Sequence, residues 1–469
     1  MFLGLHPGWW LLIVDWTIRL AALWWIPSRS RPAAARSWLL LVGFVPLFGL
    51  PLYLLLGQPW VSRERRARQA RASARIREAQ APLAAQRATP GAAGAEIAAL
   101  VERLGGFLPM PGNAVELLDD YEDSVRRLIA DIDAATHEVH LLYYLMFDDA
   151  VGRAVAAALL RASARGVRCR LLLDAVGAKP GLRAWRTRLR AGGVEIHAML
   201  PGGLRWRRSG RMDLRNHRKI AVIDRAIGFT GSQNLASPEF VPGFPNRELV
   251  ARVRGPAVAQ LAALFASDWY LETGDALEVV PCAAVPEGGI AQVLPSGPAY
   301  PFENARDAVV ALLQRARRRV VLATPYFVPD DAVLAALRIA ALAGVEVTLI
   351  LSRSNNQTLT AWAQASYFDG LLAAGVRIAL HRAHFLHAKH LSVDDDIALI
   401  GSINLDIRSF ALNAEAGLLS YDPRVVARLH AIEADCLADS EIVDPAVWKR
   451  RAPWRRTRDG IARLADSLL

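Results

Sequence analysis

Apolar and polar positions follow a repeating order through most of the chain. Residues 139–144 and 166–173 are short apolar stretches typical of strands, and the Ala-rich segment between them, ending at Arg165, is typical of a helix. Residues 320–323 and 344–351 repeat this order around a second such segment. Strand–helix–strand units of this kind predict an α/β fold with two pseudo-symmetric lobes, each with a mixed, largely parallel sheet flanked by helices.

The first sixty residues are more apolar than the rest. Residues 9–26 and 37–57 are each long enough to cross a bilayer as a helix, although Asp15 and Arg19 interrupt the first. Because charges are costly in lipid, an interfacial helix is the alternative for that first segment. Seven of the thirteen Trp residues lie in this region, as in an aromatic belt. We therefore predict an N-terminal transmembrane helix hairpin over residues 1–60.

These patterns divide the chain into four parts. Residues 1–60 form the two-helix membrane anchor, and residues 61–95 form a basic helix and a flexible linker, because the Ala/Pro/Gly-rich end of this stretch lacks periodicity. Residues 96–280 form the first lobe, and residues 281–469 form the second lobe with a basic-aromatic tail. The basic helix is either an ordinary solvated helix or an anchor for anionic headgroups.

The charge of the chain is concentrated near its start. The net charge is +11, and residues 1–80 contain eleven Arg against three acidic residues. A basic N-terminal part favours anionic lipid over nucleic acid as the partner. Seven Arg follow the second apolar segment, and three lie in the connection between the two segments, which predicts that the lobes are on the cytoplasmic side. The three widely spaced Cys indicate neither a disulfide framework nor a metal site.

The candidate chemistry lies in a polar motif that occurs twice with identical spacing. The first copy contains His217, Lys219, Asp224, Ser232 and Asn234. The second copy, 170 residues later, contains His387, Lys389, Asp394, Ser402 and Asn404. Because a strand sends residues i and i+2 to one face, His and Lys of each copy are expected to point together, with Ser and Asn returning from the Gly-Ser turn.

This combination of side chains suits phosphate chemistry without a metal or cofactor. Imidazole acts as a nucleophile or general acid near neutral pH, while Lys and Asn neutralise charge on non-bridging oxygens. Two lobes that each carry half of the set predict one active centre at their interface, with an imidazole on either side of one phosphorus atom.

The aspartates of the motif are counted with the candidate catalytic set but are expected to act differently. Asp224 and Asp394 end their strands, and strand parity turns them away from His and Lys. We expect them to be structural and to hold groups at the lobe interface.

A nucleophilic imidazole needs a carboxylate on its second nitrogen to fix its tautomer and orientation. Glu248 and Glu415 are the candidates, since they lie 14 and 11 residues after Asn234 and Asn404. For Glu248, a surface ion pair with Arg247 is the alternative.

The two motifs resemble the paired HKD motifs of the phospholipase D superfamily, and the chain around them is similar to bacterial cardiolipin synthases of the membrane-anchored kind. The resemblance runs from the hydrophobic start through residues 213–216, 252–256, 267–270, 324–330 and 406–415. It implies a phosphatidyltransferase of the bacterial inner membrane that joins two phosphatidylglycerol molecules through a phosphatidyl-histidine. By this resemblance, His217 is the nucleophile and His387 the acid/base.

Several alternatives stay open at this stage. Two equivalent motifs do not themselves distinguish the nucleophile from the acid/base. The acceptor is phosphatidylglycerol, phosphatidylethanolamine, another alcohol or water, and water makes the protein a hydrolase. A nuclease is less favoured, because the lobes are nearly neutral once the basic N-terminal part is set aside. The oligomeric state is open.

Two basic-aromatic segments are further membrane-contact candidates. Residues 204–208 lie in a connection of 24 residues between Gly193 and His217, whereas the corresponding connection before His387 has only 12. An exposed loop without function is the alternative. The tail repeats this composition, followed by an amphipathic end, in Trp448–Arg451, Trp454–Arg456, Ile461, Leu464, Leu468 and Leu469.

Overall fold

The computed structural model describes residues 7–30, 32–57, 60–201, 210–211, 213–239, 243 and 245–464. The predicted basic-aromatic segment 204–208 and the last residues, Leu468 and Leu469, lie outside these ranges. The N-terminal part is helical, with α1 (Pro7–Trp25), α2 (Pro32–Phe44), α3 (Pro46–Leu56), α4 (Arg63–Gln80), a 3₁₀ helix (Ala81–Gln86) and α5 (Ala92–Gly105).

The first lobe follows the predicted strand–helix–strand order. Its strands are β1 (Met110–Leu118), β2 (Glu138–Tyr143), β3 (Arg168–Asp174), β4 (Glu195–Met199), β5 (Arg215–Asn216), β6 (Ile220–Ile223), β7 (Ile227–Gly231), β8 (Asn246–Arg247) and β9 (Val250–Arg254). Its described helices are α6 (Tyr121–Ala134), α7 (Ala150–Ala164), α8 (Lys179–Ala191) and α9 (Ala257–Thr273).

The second lobe repeats the order. Its strands are β10 (Gly289–Ser296), β11 (Arg319–Ala323), β12 (Phe327–Val328), β13 (Glu346–Ser352), β14 (Arg377–His381), β15 (Phe385–Leu386), β16 (His390–Val393), β17 (Ile397–Gly401), β18 (Leu405–Asp406), β19 (Asn413–Ser420) and β20 (Ser440–Ile442). Its helices are α10 (Asn304–Arg315), α11 (Asp331–Leu342), α12 (Thr358–Ala373), α13 (Ile407–Ala411), α14 (Pro423–Ala438), α15 (Pro445–Lys449) and α16 (Pro453–Arg463).

The two lobes share one mixed sheet, joined where β1 pairs antiparallel with β10. The prediction of largely parallel sheets is wrong. Along the main strand order of the described sheet, β2, β3 and β4, and in the second lobe β11, β13 and β14, pair parallel, whereas the other neighbouring strands pair antiparallel. The motif strands β6 and β16 pair antiparallel with β2 and β11. They also pair antiparallel with β7 and β17, because a tight turn joins each motif strand to the next and such hairpins are necessarily antiparallel.

Two short parallel ladders cross from one lobe to the other. β5, just before the first motif, pairs with β19 of the second lobe, so that Asn216 lies opposite Ala414. β15, just before the second motif, pairs with β8 of the first lobe, so that Leu386 lies opposite Arg247. Each motif therefore begins on a backbone held by the opposite lobe.

The predicted transmembrane hairpin is not confirmed. Within the described ranges, no helix combines the length and apolar character needed to cross a bilayer. The segment predicted to span from residue 37 to 57 is divided at Val45 into two helices, because Pro46 starts a new helix at its first position. Asp15 and Arg19 form the expected ion pair, with Nε 2.9 Å from Oδ2.

The linker prediction also differs from the structure. Residues 81–86 form a 3₁₀ helix, and α5 begins at Ala92, within the stretch expected to be flexible. The predicted boundary put most of α5 in the first lobe, but Ile97, Ala98 and Val101 pack in the core of the second.

Candidate active site

Both motif histidines line one cavity at the junction of the lobes, with a volume of about 310 Å³. The motif asparagines Asn234 and Asn404 line the same cavity. The rest of the described lining includes aromatic and polar side chains from both lobes: Tyr144, Arg215, Tyr326, Asn356, Gln357, Thr360, Phe385, Asp406, Arg408 and Asn413. The structure therefore brings the two predicted half-sites together.

Each histidine is held by a glutamate of the other lobe. His217 Nδ1 lies 3.0 Å from Glu415 Oε2, and His387 Nδ1 lies 2.7 Å from Glu248 Oε1. The crossed ladders produce this arrangement: the backbone N–H of His217 donates to Ala414, and that of His387 donates to Arg247. The glutamate is the next residue in both cases, so the backbone pairing sets each side-chain pair.

The predicted alternative for Glu248 is wrong. Glu248 is buried rather than at the surface, and its carboxylate also accepts a hydrogen bond from Asn246 Nδ2. Nη2 of Arg247 instead lies 3.9 Å from Oδ2 of Asp119. With Nδ1 of each imidazole hydrogen-bonded to a carboxylate, Nε2 is the nitrogen left for chemistry.

The motif lysines are buried beside their histidines. Lys219 Nζ donates to the backbone carbonyl of His217 at 2.7 Å, and Lys389 Nζ donates to that of His387. Lys219 Nζ also lies 5.5 Å from the centre of the Tyr144 ring. The strands begin only at Ile220 and His390, so these local contacts, rather than strand parity, orient His and Lys.

The Gly-Ser turns support the glutamates. Ser402 Oγ donates to Glu415 Oε2 at 2.5 Å, and a hydrogen bond from Ser232 lowers the pKa of Glu248. A Cβ at Gly231 or Gly401 would lie 2.4 Å from the carbonyl of Leu249 or 2.2 Å from that of Ala416. Glycine is therefore required for the close approach that brings each serine to the strand carrying the glutamate.

The motif aspartates lie away from the cavity. Asp224 accepts from the backbone N–H groups of residues 136, 137 and 138, and Asp394 accepts from those of 317, 318 and 319. Both have φ of 49° in the turn after the motif strand, a conformation that Asp tolerates better than most residues. Neither aspartate is among the described residues that line the cavity, and each holds a loop of its own lobe rather than groups at the lobe interface.

The buried charges set the pKa values of the carboxylates and imidazoles. Burial alone would raise the pKa of Glu248, but the neighbouring His387 and Lys389 lower it to about 2. The pKa of Glu415 is likewise lowered, by His217 and Lys219 against its burial. Burial lowers the pKa of His217, and it lowers that of His387 to about 4 despite the attraction of Glu248. The cavity without ligand therefore favours neutral imidazoles held by ionised glutamates.

The pKa values of the two motif lysines are lowered as well. Burial lowers the pKa of Lys219 to about 7 and that of Lys389 to about 8, although both glutamates act in the opposite direction. An anion in the cavity favours the charged form of both lysines and of an imidazole.

The family model described as "Cardiolipin synthase, PLD-like domain" matches residues 128–269 and 309–435, one match in each lobe. The chain belongs to this cardiolipin synthase family. Cardiolipin synthase A of Salmonella arizonae is 32% identical, and that of Yersinia pseudotuberculosis 33%; the alignments cover 98% of this chain and 97% of each relative.

Solved structures agree on the fold. The phosphatidylserine synthase of Haemophilus influenzae superposes with a TM-score of 0.60 over 80% of this chain and 100% of its own, at 13% identity. At that identity the likeness concerns the fold alone.

The cardiolipin synthase site also contains residues to which the sequence assigned no role. Tyr144 follows β2 and Tyr326 follows β11, the two strands that pair with the motif strands, and both tyrosines line the cavity. The rings of Tyr144 and His217 meet edge to face, with centroids 5.0 Å apart. Both tyrosines follow a strand that pairs with a motif strand, and this position is the signal by which a sequence search would find them. Asn356, Gln357 and Thr360, at the start of α12, carry no such signal.

The two half-sites of this cardiolipin synthase differ in one buried arginine. Arg218, between the first His and Lys, donates to the backbone carbonyl of Glu415 at 3.0 Å and to Asp268 at 2.5 Å. Ala388 occupies the corresponding position of the second motif. Arg218 therefore fixes the backbone of the glutamate that holds His217, and the second half-site has no such contact from its motif.

Proposed function

We propose that the protein is a cardiolipin synthase that transfers the phosphatidyl group of one phosphatidylglycerol to a second, giving cardiolipin and glycerol. The observation that carries this proposal is the pair of crossed contacts, His217 with Glu415 and His387 with Glu248, on one cavity. Two imidazoles with Nε2 left for chemistry meet the needs of a double displacement at phosphorus. Membership of the cardiolipin synthase family supports the lipid substrate.

In the first step, Nε2 of His217 attacks the phosphorus of phosphatidylglycerol. The bond from phosphorus to the glycerol oxygen breaks, and protonated His387 gives its Nε2 proton to that oxygen, so that glycerol leaves. The bound phosphodiester anion favours the imidazolium that this step requires, because it offsets the burial of His387. The product is a phosphatidyl-histidine at position 217, with Lys219, Lys389, Asn234 and Asn404 holding the phosphoryl oxygens.

In the second step, the glycerol hydroxyl of another phosphatidylglycerol gives its proton to His387 and attacks the same phosphorus. The P–N bond to His217 breaks, and cardiolipin leaves. Both histidines return to their starting state, so the cycle needs no cofactor. The favoured order, with His217 as nucleophile, agrees with the firmer support that Arg218 gives to Glu415.

We also propose that the N-terminal helices contact the bacterial inner membrane, with the lobes on the cytoplasmic side. Large apolar side chains of α1 to α3 are exposed, including Trp24 at 80% and Phe44 at 81%. Contiguous apolar surface of this kind marks an interaction site, and a lipid substrate makes the bilayer its partner. The interfacial alternative considered for residues 9–26 needs no complete crossing.

Purified full-length protein on phosphatidylglycerol vesicles with EDTA tests the proposed reaction. We expect cardiolipin and glycerol in equal amounts, and no product with His217→Ala or His387→Ala. Phosphatidic acid as the sole lipid product would identify a hydrolase instead. Cardiolipin formation that survives His217→Ala would refute the histidine mechanism, and adding ethanolamine or phosphatidylethanolamine to the vesicles identifies any other acceptor by its product.

A further inference from the structure

A second cavity lies between α4 and α9 and shares no lining residue with the active-site cavity. Its volume is about 140 Å³. Most of the wall is formed by small or aliphatic side chains: Ala72, Ile76, Ala79, Ala263, Ala266, Ala276, Leu277 and Val279. A cavity with such a lining excludes ordered water and accepts an apolar group.

Two polar side chains, Ser267 and Arg75, also line this cavity. The hydroxyl of Ser267 is on the wall, 4% exposed as a residue, and has no hydrogen-bond partner among the described residues. Arg75 lies on the opposite helix, exposed, with its guanidinium 4.9 Å from the centre of the Tyr270 ring. Within the described part of the chain, Arg75 makes no ion pair. A buried hydroxyl without a partner is costly, and a ligand oxygen would remove that cost.

The volume limits what enters. An apolar cavity of about 150 Å³ holds a molecule the size of benzene, so this one admits roughly six carbons of a single chain. The positive charge of α4, which contains seven Arg against two Glu, favours an anion at the opening of the cavity. Along the chain, α4 follows the exposed apolar helices α1 to α3, for which we propose the membrane contact.

We propose that this cavity binds one acyl chain of an anionic membrane phospholipid. The chain enters between α4 and α9, an ester carbonyl accepts from the Ser267 hydroxyl, and the phosphate lies against Arg75. This lipid is separate from the substrate and would tie α4 and α9 to the bilayer. The proposal stands whether or not the protein makes cardiolipin, because it rests on residues outside the active-site cavity.

Photolabelling tests the proposal directly. Full-length protein in vesicles is irradiated with phosphatidylglycerol that carries a diazirine within roughly the first six carbons of one acyl chain, the part that the cavity would hold beside Ser267, and the labelled peptides are mapped. We expect label on residues of α4, α9 or the segment 276–279. Arg75→Glu reverses the charge at the opening of the cavity, and Ala266→Leu fills the cavity. Each should lower the labelling on the order of tenfold, which corresponds to a loss of about 1.4 kcal/mol in binding free energy. Arg77→Glu, an exposed arginine of the same helix outside the cavity, is the matched control and should leave it unchanged.

Three outcomes would overturn the proposal. Label confined to α1–α3 and the active-site cavity would show that no chain enters here. Equal labelling by phosphatidylcholine, unaffected by Arg75→Glu, would refute the anionic headgroup. Labelling by a diazirine fatty acid but not by the phospholipid would refute the phospholipid. Cardiolipin formation is measured on the same samples. If Ala266→Leu loses the label and keeps activity, this cavity and the active-site cavity are distinct. If it loses activity and retains the label, that separation is refuted.

Discussion

Glu248 of the first lobe holds His387 of the second, with Oε1 2.7 Å from Nδ1. Glu415 of the second lobe holds His217 of the first in the same way. Neither lobe therefore contains a complete half-site. The active site exists only when the lobes are docked, because each imidazole takes its tautomer and its orientation from a carboxylate on the other lobe.

Replacing either glutamate should impair chemistry more than binding. Glu248→Gln or Glu415→Gln removes the charge that orients the imidazole, and kcat should fall about 10²- to 10⁴-fold, as expected for the loss of an orienting carboxylate. Initial rates of glycerol release measure this, with KM changing much less. Glu433→Gln is the control, since Glu433 pairs with buried His390 outside the cavity; a similar fall in kcat there would contradict the assignment.

The lysines predict the alkaline limb of the pH profile. The pKa of Lys219 is about 7 and that of Lys389 about 8 because both are buried. Because these pKa values are lowered, both lysines lose their positive charge as pH rises from about 7 to 9, and kcat/KM should fall over that range. A bound phosphodiester stabilises the ammonium form, and the corresponding fall in kcat should lie at higher pH. A kcat/KM that rises throughout this range would refute the role of the lysines.

Arg218 should be the most costly arginine to remove from the described first lobe. Arg218→Ala leaves Asp268 buried without its ion-pair partner, and we expect a loss of about 3 to 5 kcal/mol in the free energy of unfolding. Arg252→Ala breaks a less buried pair with Asp131 and should cost about 1 kcal/mol. Urea unfolding compares the two, and equal losses would argue against the special burial of Arg218.

Asp224→Ala should lower stability and leave kcat nearly unchanged. The carboxylate accepts from three backbone N–H groups, which lower its pKa against partial burial, and removing it should cost about 1 to 3 kcal/mol. A lowered carboxylate pKa stabilises the fold above about pH 4, the value for an unfolded chain, and this contribution is lost as pH falls below it. The stability difference between wild type and variant should therefore shrink in acid. A large fall in kcat would restore Asp224 to the catalytic set.

Much of the site was predictable from local spacing. The duplicated motif located His217, Lys219, Asn234 and their second copies, and the strand–helix order predicted two α/β lobes. Asp224 lies away from the cavity because the turn after β6 places its carboxylate on the backbone N–H groups of residues 136–138, groups of its own lobe that strand parity did not predict. The predicted parallel sheet was wrong because apolar stretches look the same in parallel and antiparallel pairings. The segment from residue 37 to 57, predicted as one span that its prolines would kink, is divided into two helices because Pro46 begins a new one.

The sequence by itself predicted the candidate side chains of the site and determined that they come in two equal sets. Only the tertiary structure decided that Glu415 serves His217 and Glu248 serves His387, that Arg218 strengthens one set alone, and that Tyr144 and Tyr326 border the cavity. The physical reason is the range of the interactions. Spacing along one strand or turn is fixed by local backbone geometry, whereas the crossed contacts depend on which strand edges meet when the two lobes pack.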